Sequence, residues 1–212
     1  MELERRPNDA VLAVLAPAYA PCAGFGGGCS TMRWAPERGH VPRGFCGATG
    51  SLEDVRLVLV CAEPGDPHES ESHPRTNPLE SVSEYAYLCF RDGKDQFHRN
   101  VRMILDMCFP GLPFAAQLQV AWFTDSVLCS ADRECGGVPA SAARECRRRY
   151  LDPQLALFPN ALVAALGAKA RDRLRGVPGV IPAVAAAPPG CNRPDAKASW
   201  QAIADRVHER GI

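Results

Sequence analysis

Residues 57–67 read LVLVCAEPGDP, from Leu57 to Pro67. The run Leu57-Val58-Leu59-Val60-Cys61 shows no alternation of polar and apolar residues. Continuous apolar runs of this length belong to strands covered on both faces. The run ends abruptly in Ala62-Glu63-Pro64-Gly65-Asp66-Pro67, two prolines and a glycine around two acids. In open α/β sheets, ligands bind off the carboxyl ends of the strands. A stiff acidic turn at such an end is therefore a candidate site.

Working outward, three more apolar runs read as buried strands, at 119–124, 161–166 and 183–187. Helical patterns fall between them. Residues 97–109 put Val101, Ile104, Leu105 and Cys108 on one face, and residues 140–151 follow Pro139, a good first-turn residue. Residues 168–176 end at a glycine, and the closing stretch aligns Trp200, Ile203 and Val207. Alternating strands and helices predict a three-layer α/β/α sandwich around a central four-stranded parallel sheet. Residues 1–212 read as one domain, with an N-terminal helix and a first cysteine pair in 1–50 and the α/β core in 51–212. Residues 66–80 read as a polar, proline-broken loop.

The formal charge is zero, with 24 basic and 24 acidic residues, but it is unevenly spread. Residues 50–97 hold four Lys/Arg against ten Asp/Glu, and residues 129–212 hold thirteen against eight. A basic second half suits a polyanion, although a mixed solvated surface accounts for it as well. The apolar stretch at 10–20 is short and lacks the flanks of a signal peptide, so it reads as a helix of the fold. A cytoplasmic protein with no membrane segment is the expectation. Ten cysteines without a secretory signal argue for buried thiols and metal ligands rather than disulfides. Cys61, Cys89 and Cys108 lie in apolar runs and read as core thiols. Cys22, Cys29, Cys129, Cys135 and Cys146 lie near glycines, polar turns or a helix face and are the ligand candidates.

In order, the chain carries a cysteine pair at Cys22 and Cys29, CAEPGDP, WFTDSVLC, a helix with Cys146, ALVAALG and a late APPG. This order resembles the uracil-DNA glycosylase superfamily, most closely its iron–sulfur branch. The resemblance runs from about Cys22 to the C-terminus. It implies that Cys22, Cys29, Cys129 and Cys146 hold a [4Fe–4S] cluster that braces a loop beside DNA, because such clusters take four cysteine sulfurs. Zinc accepts the same four and is the lesser expectation. Cys46 and Cys135 are spare candidates.

The resemblance also assigns the turn. A glycosylase takes a base out of the stack and holds it in a tight pocket. Ala62, Pro64 and Gly65 match the turn that lines it. The catalytic acid is displaced by one residue from the branch's pattern, to Glu63, with Asp66 as a second candidate. Such a carboxylate stabilises the developing sugar cation or activates water. Phe97 matches the aromatic that stacks on the extruded base. Asp125 stands where the family carries a base-reading asparagine. An ionised aspartate only accepts hydrogen bonds. The expectation is that Asp125 faces an exocyclic amine unless it is protonated.

The family's His-Pro-Ser loop has no counterpart histidine; Pro188 or Ala187 takes its place, followed by Pro189 and Gly190. Asn192 or Arg193 is a candidate donor there, and Arg193 with Lys197 are candidate phosphate contacts. His40, His68, His73, His98 and His208 lie elsewhere and read as surface residues, with His98 beside Phe97. The expected function is a monofunctional DNA glycosylase that hydrolyses an N-glycosidic bond, extending to a base other than plain uracil. The alternative is a weakly active or inactive iron–sulfur protein that binds DNA or a modified base. The expected partner is single- or double-stranded DNA, and the expected state is a monomer.

Overall fold

The computed structural model describes residues 5–131, 133 and 136–211. Cys135, a spare ligand candidate, lies outside the described residues. In chain order the regular elements are α1 (Asp9–Leu15), β1 (Cys46–Gly47), β2 (Leu57–Cys61), α2 (Pro78–Asp92), α3 (Gln96–Cys108), α4 (Phe114–Val120), β3 (Ala121–Asp125), α5 (Ala140–Cys146), α6 (Asp152–Ala156), β4 (Leu162–Leu166), α7 (Ala168–Arg173), β5 (Ile181–Ala183) and α8 (Ala196–Glu209).

The five strands form one sheet in the order β1-β3-β2-β4-β5. β2, β3, β4 and β5 are parallel, and β1 adds two antiparallel residues beside β3, Cys46 opposite Phe123 and Gly47 opposite Trp122. The expected four-stranded parallel sheet is thus present with a fifth, antiparallel edge. β2 is central, paired on both sides, and its first four residues are buried. That explains its unbroken apolar run: Val58 and Val60 enter one core and Leu57 and Leu59 the other. Trp122, Tyr150 and α7's Ala170 fill the first core; Phe90, Ile104 and Trp200 fill the second. Helices therefore cover both faces.

Three strands start elsewhere than the sequence predicts, β4 by the one residue Ala161. Residues 119–120 belong to α4, and β3 begins at Ala121. β5 is three residues long and ends at Ala183, where 183–187 was expected as the strand. It is an edge strand, paired only with β4, so Pro182 is tolerated without its N–H. The predicted loop at 66–80 gives way at Pro78 to α2, whose first turn carries that proline and which stops at Gly93 in the left-handed conformation. The 140–151 helix is α-helical to Cys146 and then widens into a π turn at Arg147–Leu151.

Residues Asp9–Gly26 have a mean hydropathy of 1.3 over 18 residues, enough for a membrane span by composition. They fold instead as the seven-residue α1 and two short 3-10 turns, with Val11, Leu15, Ala18 and Cys22 in the core.

Candidate functional site

The carboxyl ends of β2, β3, β4 and β5 share one edge of the sheet, because the four strands run parallel. Cys61 stands opposite Asp125 at that edge. The turn after β2 is pinned through its carbonyls. Ser126 Oγ donates to Ala62 O at 2.6 Å, Arg173 Nη1 to the same oxygen at 2.8 Å, and Ser130 Oγ to Gly65 O at 2.9 Å. Arg43 also donates to Gly65 O, and to Gly39 O at 2.8 Å. The turn's backbone is thus fixed by the strand exit of β3, by α7 and by the segment before β1.

Glu63 points into this scaffold. Its side chain is 10% exposed and forms ion pairs with Lys169 and with Arg173, whose Nη1 lies 2.6 Å from Glu63 Oε2. The second contact is close but off the hydrogen-bond direction, since Oε2 accepts no hydrogen bond. Asp66 is more open, at 38% exposure, and is loosely paired with Arg33 at 3.7 Å. Both acid candidates are therefore partnered, Glu63 the more completely.

Asp125 is different. It is 5% exposed at the end of β3, and its carboxyl accepts no hydrogen bond and forms no ion pair among the described residues. Gly44 makes room for it: with φ +83°, a Cβ on that residue would lie 1.8 Å from Asp125 Oδ2. Burial, and then the nearby Glu63 charge, push the Asp125 carboxyl well above the usual carboxylate range, against the opposing pull of Arg43 and Arg173. Burial, and then Asp125, push the Cys61 thiol up in turn. The environment thus shifts Asp125 toward the protonated form, the exception named for it above.

The loop after β5 lies beside the start of α3. Asn100 Nδ2 donates to Ala186 O at 2.8 Å, and Gln96 Nε2 donates to Asn192 Oδ1 at 3.1 Å. Phe97, in the first turn of α3, is half-buried and edge-on to Phe90 at 5.8 Å. Arg193 is held by Asp195 through contacts of 2.9 and 2.6 Å, while Lys197 is exposed in the first turn of α8. Pro189 and Gly190 lead into a short 3-10 turn, Gly190–Asn192.

Cys22, Cys29, Cys129 and Cys146 line one cavity on the face of α5, together with Phe25, Met32, Leu128 and Tyr150. All four are buried, and the nine described cysteines are free thiols. Cys22 and Cys29 come from a glycine-rich loop that closes tightly: a Cβ at Gly24 would lie 3.1 Å from Cys29 Sγ and 3.3 Å from Cys22 Sγ. Tyr150 Oη donates to Cys22 Sγ at 3.0 Å, and the Leu128 N–H to Cys146 Sγ at 3.4 Å. The π turn brings that tyrosine to the cavity; such turns are frequent at functional sites. Burial raises the thiols of Cys29, Cys129 and Cys146, the last to about 12, and each is raised further by its neighbours among the four. As thiolates they need a cationic partner. Glu145, also in the lining, is bound by Arg148 and Arg149.

Among the described residues no group of three or more His, Cys, Asp or Glu is gathered as a site for a metal ion. The four sulfurs line the walls of a shared space instead. Cys46 is placed away from them. It packs in the core on the other face of the sheet, with burial pushing its thiol up to about 12, which removes it from the ligand candidates.

Several residues of this region escaped the sequence reading. Arg43, Lys169 and Arg173 carry the charges around the turn, and Glu71 with His73 anchors its far side. His73 Nε2 lies 3.2 Å from Glu71 Oε1 and Nδ1 lies 2.9 Å from Ser81 Oγ, so this histidine is buried rather than superficial. The basic run after β4 was a usable signal for Lys169 and Arg173, because residues just past a strand's carboxyl end face the ligand edge. No protein-family model matches the chain, and no curated protein matches it.

Proposed function

We propose that the protein is a DNA glycosylase-like protein of the uracil-DNA glycosylase superfamily, carrying a [4Fe–4S] cluster. The observation that carries this reading is the convergence of four cysteines, distant in sequence, on one buried cavity whose wall begins two residues after Asp125 at Val127. Cys22, Cys29, Cys129 and Cys146 would hold the cluster. A [4Fe–4S] cluster takes four cysteine sulfurs, and zinc, the lesser expectation, accepts the same four. The cluster would supply no chemistry at the sugar; it would tie the glycine-rich loop, the exit of β3 and α5 together.

In this reading DNA presents an extruded base to the carboxyl edge. Asp125 meets the base edge, Phe97 stacks on it, and Ala62, Pro64 and Gly65 wall the pocket. Glu63 or Asp66 supplies negative charge to the sugar as its bond to the base breaks. Pro189, Gly190, Asn192 and Arg193 on the loop after β5, with Lys197 in the first turn of α8, would meet the backbone. A second reading, a DNA- or base-binding protein with weak or no catalysis, is favoured by the ion pairs that occupy Glu63.

The test is incubation with oligonucleotides bearing different bases, followed by detection of abasic sites. The enzyme reading expects abasic sites, and Glu63→Gln reducing their formation about 100- to 1,000-fold with DNA binding kept. DNA binding without abasic sites on any base favours the second reading. An unchanged rate in Glu63→Gln moves the acid's role to Asp66.

A further inference from the structure

The Asp125 carboxyl is buried, with no hydrogen-bond or ion-pair partner among the described residues, at the edge where the strands end. Buried polar groups ordinarily find a hydrogen bond, and one left without a partner weighs against the folded state. The fold keeps this one by placing Gly44 against it, where any side chain would collide. The charged and titratable groups that face it come from every side. Glu63 is on the turn after β2 and Cys61 on β2 itself; Arg43 precedes β1, Arg173 is on α7, and Cys146 ends α5. Neither arginine reaches it: Arg43 is spent on Gly39, Gly65 and Glu71, and Arg173 on Ala62, Ser126 and Glu63.

We infer that Asp125 works as an uncharged carboxylic acid that pairs with a base edge through one donated and one accepted hydrogen bond, and that ionisation of this group shuts the site. The inference rests on the glycosylase reading. A neutral carboxyl offers an O–H donor beside a C=O acceptor; the carboxylate offers acceptors alone. Uracil presents a C4 oxygen beside the N3–H, so the acid satisfies both and the carboxylate repels the oxygen. Cytosine presents a C4 amine beside an unprotonated N3. The proton moves to the other oxygen and again satisfies both, whereas the carboxylate repels N3. Asp125 therefore does not select for an amine, contrary to the expectation from an ionised aspartate. It selects for its own proton, and discrimination at C4 falls to other residues.

Infrared spectroscopy and a pH–rate profile test this together. The C=O band of a neutral carboxylic acid is expected at neutral pH, fading as pH rises, and absent in Asp125→Asn. Uracil excision from a single-stranded oligonucleotide is expected to fall about tenfold per pH unit once the group ionises. In Asp125→Asn, which carries a donor at every pH, that alkaline fall disappears. Absence of the band at neutral pH overturns the inference. Excision that is flat with pH in the natural protein, or an alkaline fall that persists unchanged in Asp125→Asn, overturns it and leaves the glycosylase reading standing. DNA bound but no base released at any pH overturns both.

Discussion

Gly44 has φ +83°, in the left-handed region that side chains rarely adopt, and it backs directly onto the Asp125 carboxyl. Two penalties coincide there, backbone strain and collision with a buried group. Gly44→Ala should destabilise the protein by about 1–3 kcal/mol, read as a lower denaturant midpoint with an unchanged slope. An unchanged midpoint would mean that the carboxyl moves aside freely and that the tight approach is not needed. At this scale the sequence was only partly legible. That Asp125 stands where the resembled family carries an amide was legible; that burial and Glu63 push its carboxyl up was not. The deciding groups, Gly44, Glu63, Arg43 and Arg173, are scattered through the chain, and only the fold brings them to one carboxyl.

The start of α3 carries Phe97 and His98, and its position depends on Asp95. The Asp95 side chain accepts from the His98 N–H at 3.0 Å, and His98 Nδ1 lies 2.8 Å from the same oxygen. Burial raises this carboxyl, but the His98 side-chain and backbone contacts outweigh it and hold it down to about 2. A depressed carboxylate contributes stability above its ordinary value, near ~3.9, and loses it as pH falls toward about 2. Asp95→Ala should therefore cost about 1 kcal/mol at neutral pH, as loss of a helix cap does, with the difference from the natural protein shrinking in acid. Thermal melts at pH 7 and pH 3 read both effects; an equal cost at both values would contradict the assignment. Elements with a clear period, α3, α8 and the buried β2, were legible from the apolar pattern alone. α2 was hidden because its Pro78 start closes a run already dense in prolines, His73-Pro74 and Asn77-Pro78. β1 was hidden because two residues carry no periodicity.

Over the whole molecule, the parallel sheet brings distant segments to two neighbouring places, a polar edge and a cysteine-lined cavity. The alternation of β2 residues between two cores separates the helices into layers, and the exit of β3 joins the two places, running from Asp125 to Cys129. The residues alone offered five candidate cysteines, and the resemblance singled out Cys22, Cys29, Cys129 and Cys146; their shared cavity is a property of the fold. If the proposed cluster is held there, Cys129→Ser should lose most bound iron and lower the melting temperature by several degrees, because a bound cluster would contribute to folding as other tightly bound metals do. The most direct measurement is iron, acid-labile sulfide and zinc in the natural protein purified without oxygen. The account predicts a brown protein with iron and sulfide in equal amounts and little zinc; a colourless protein of full stability, free of iron, would contradict it.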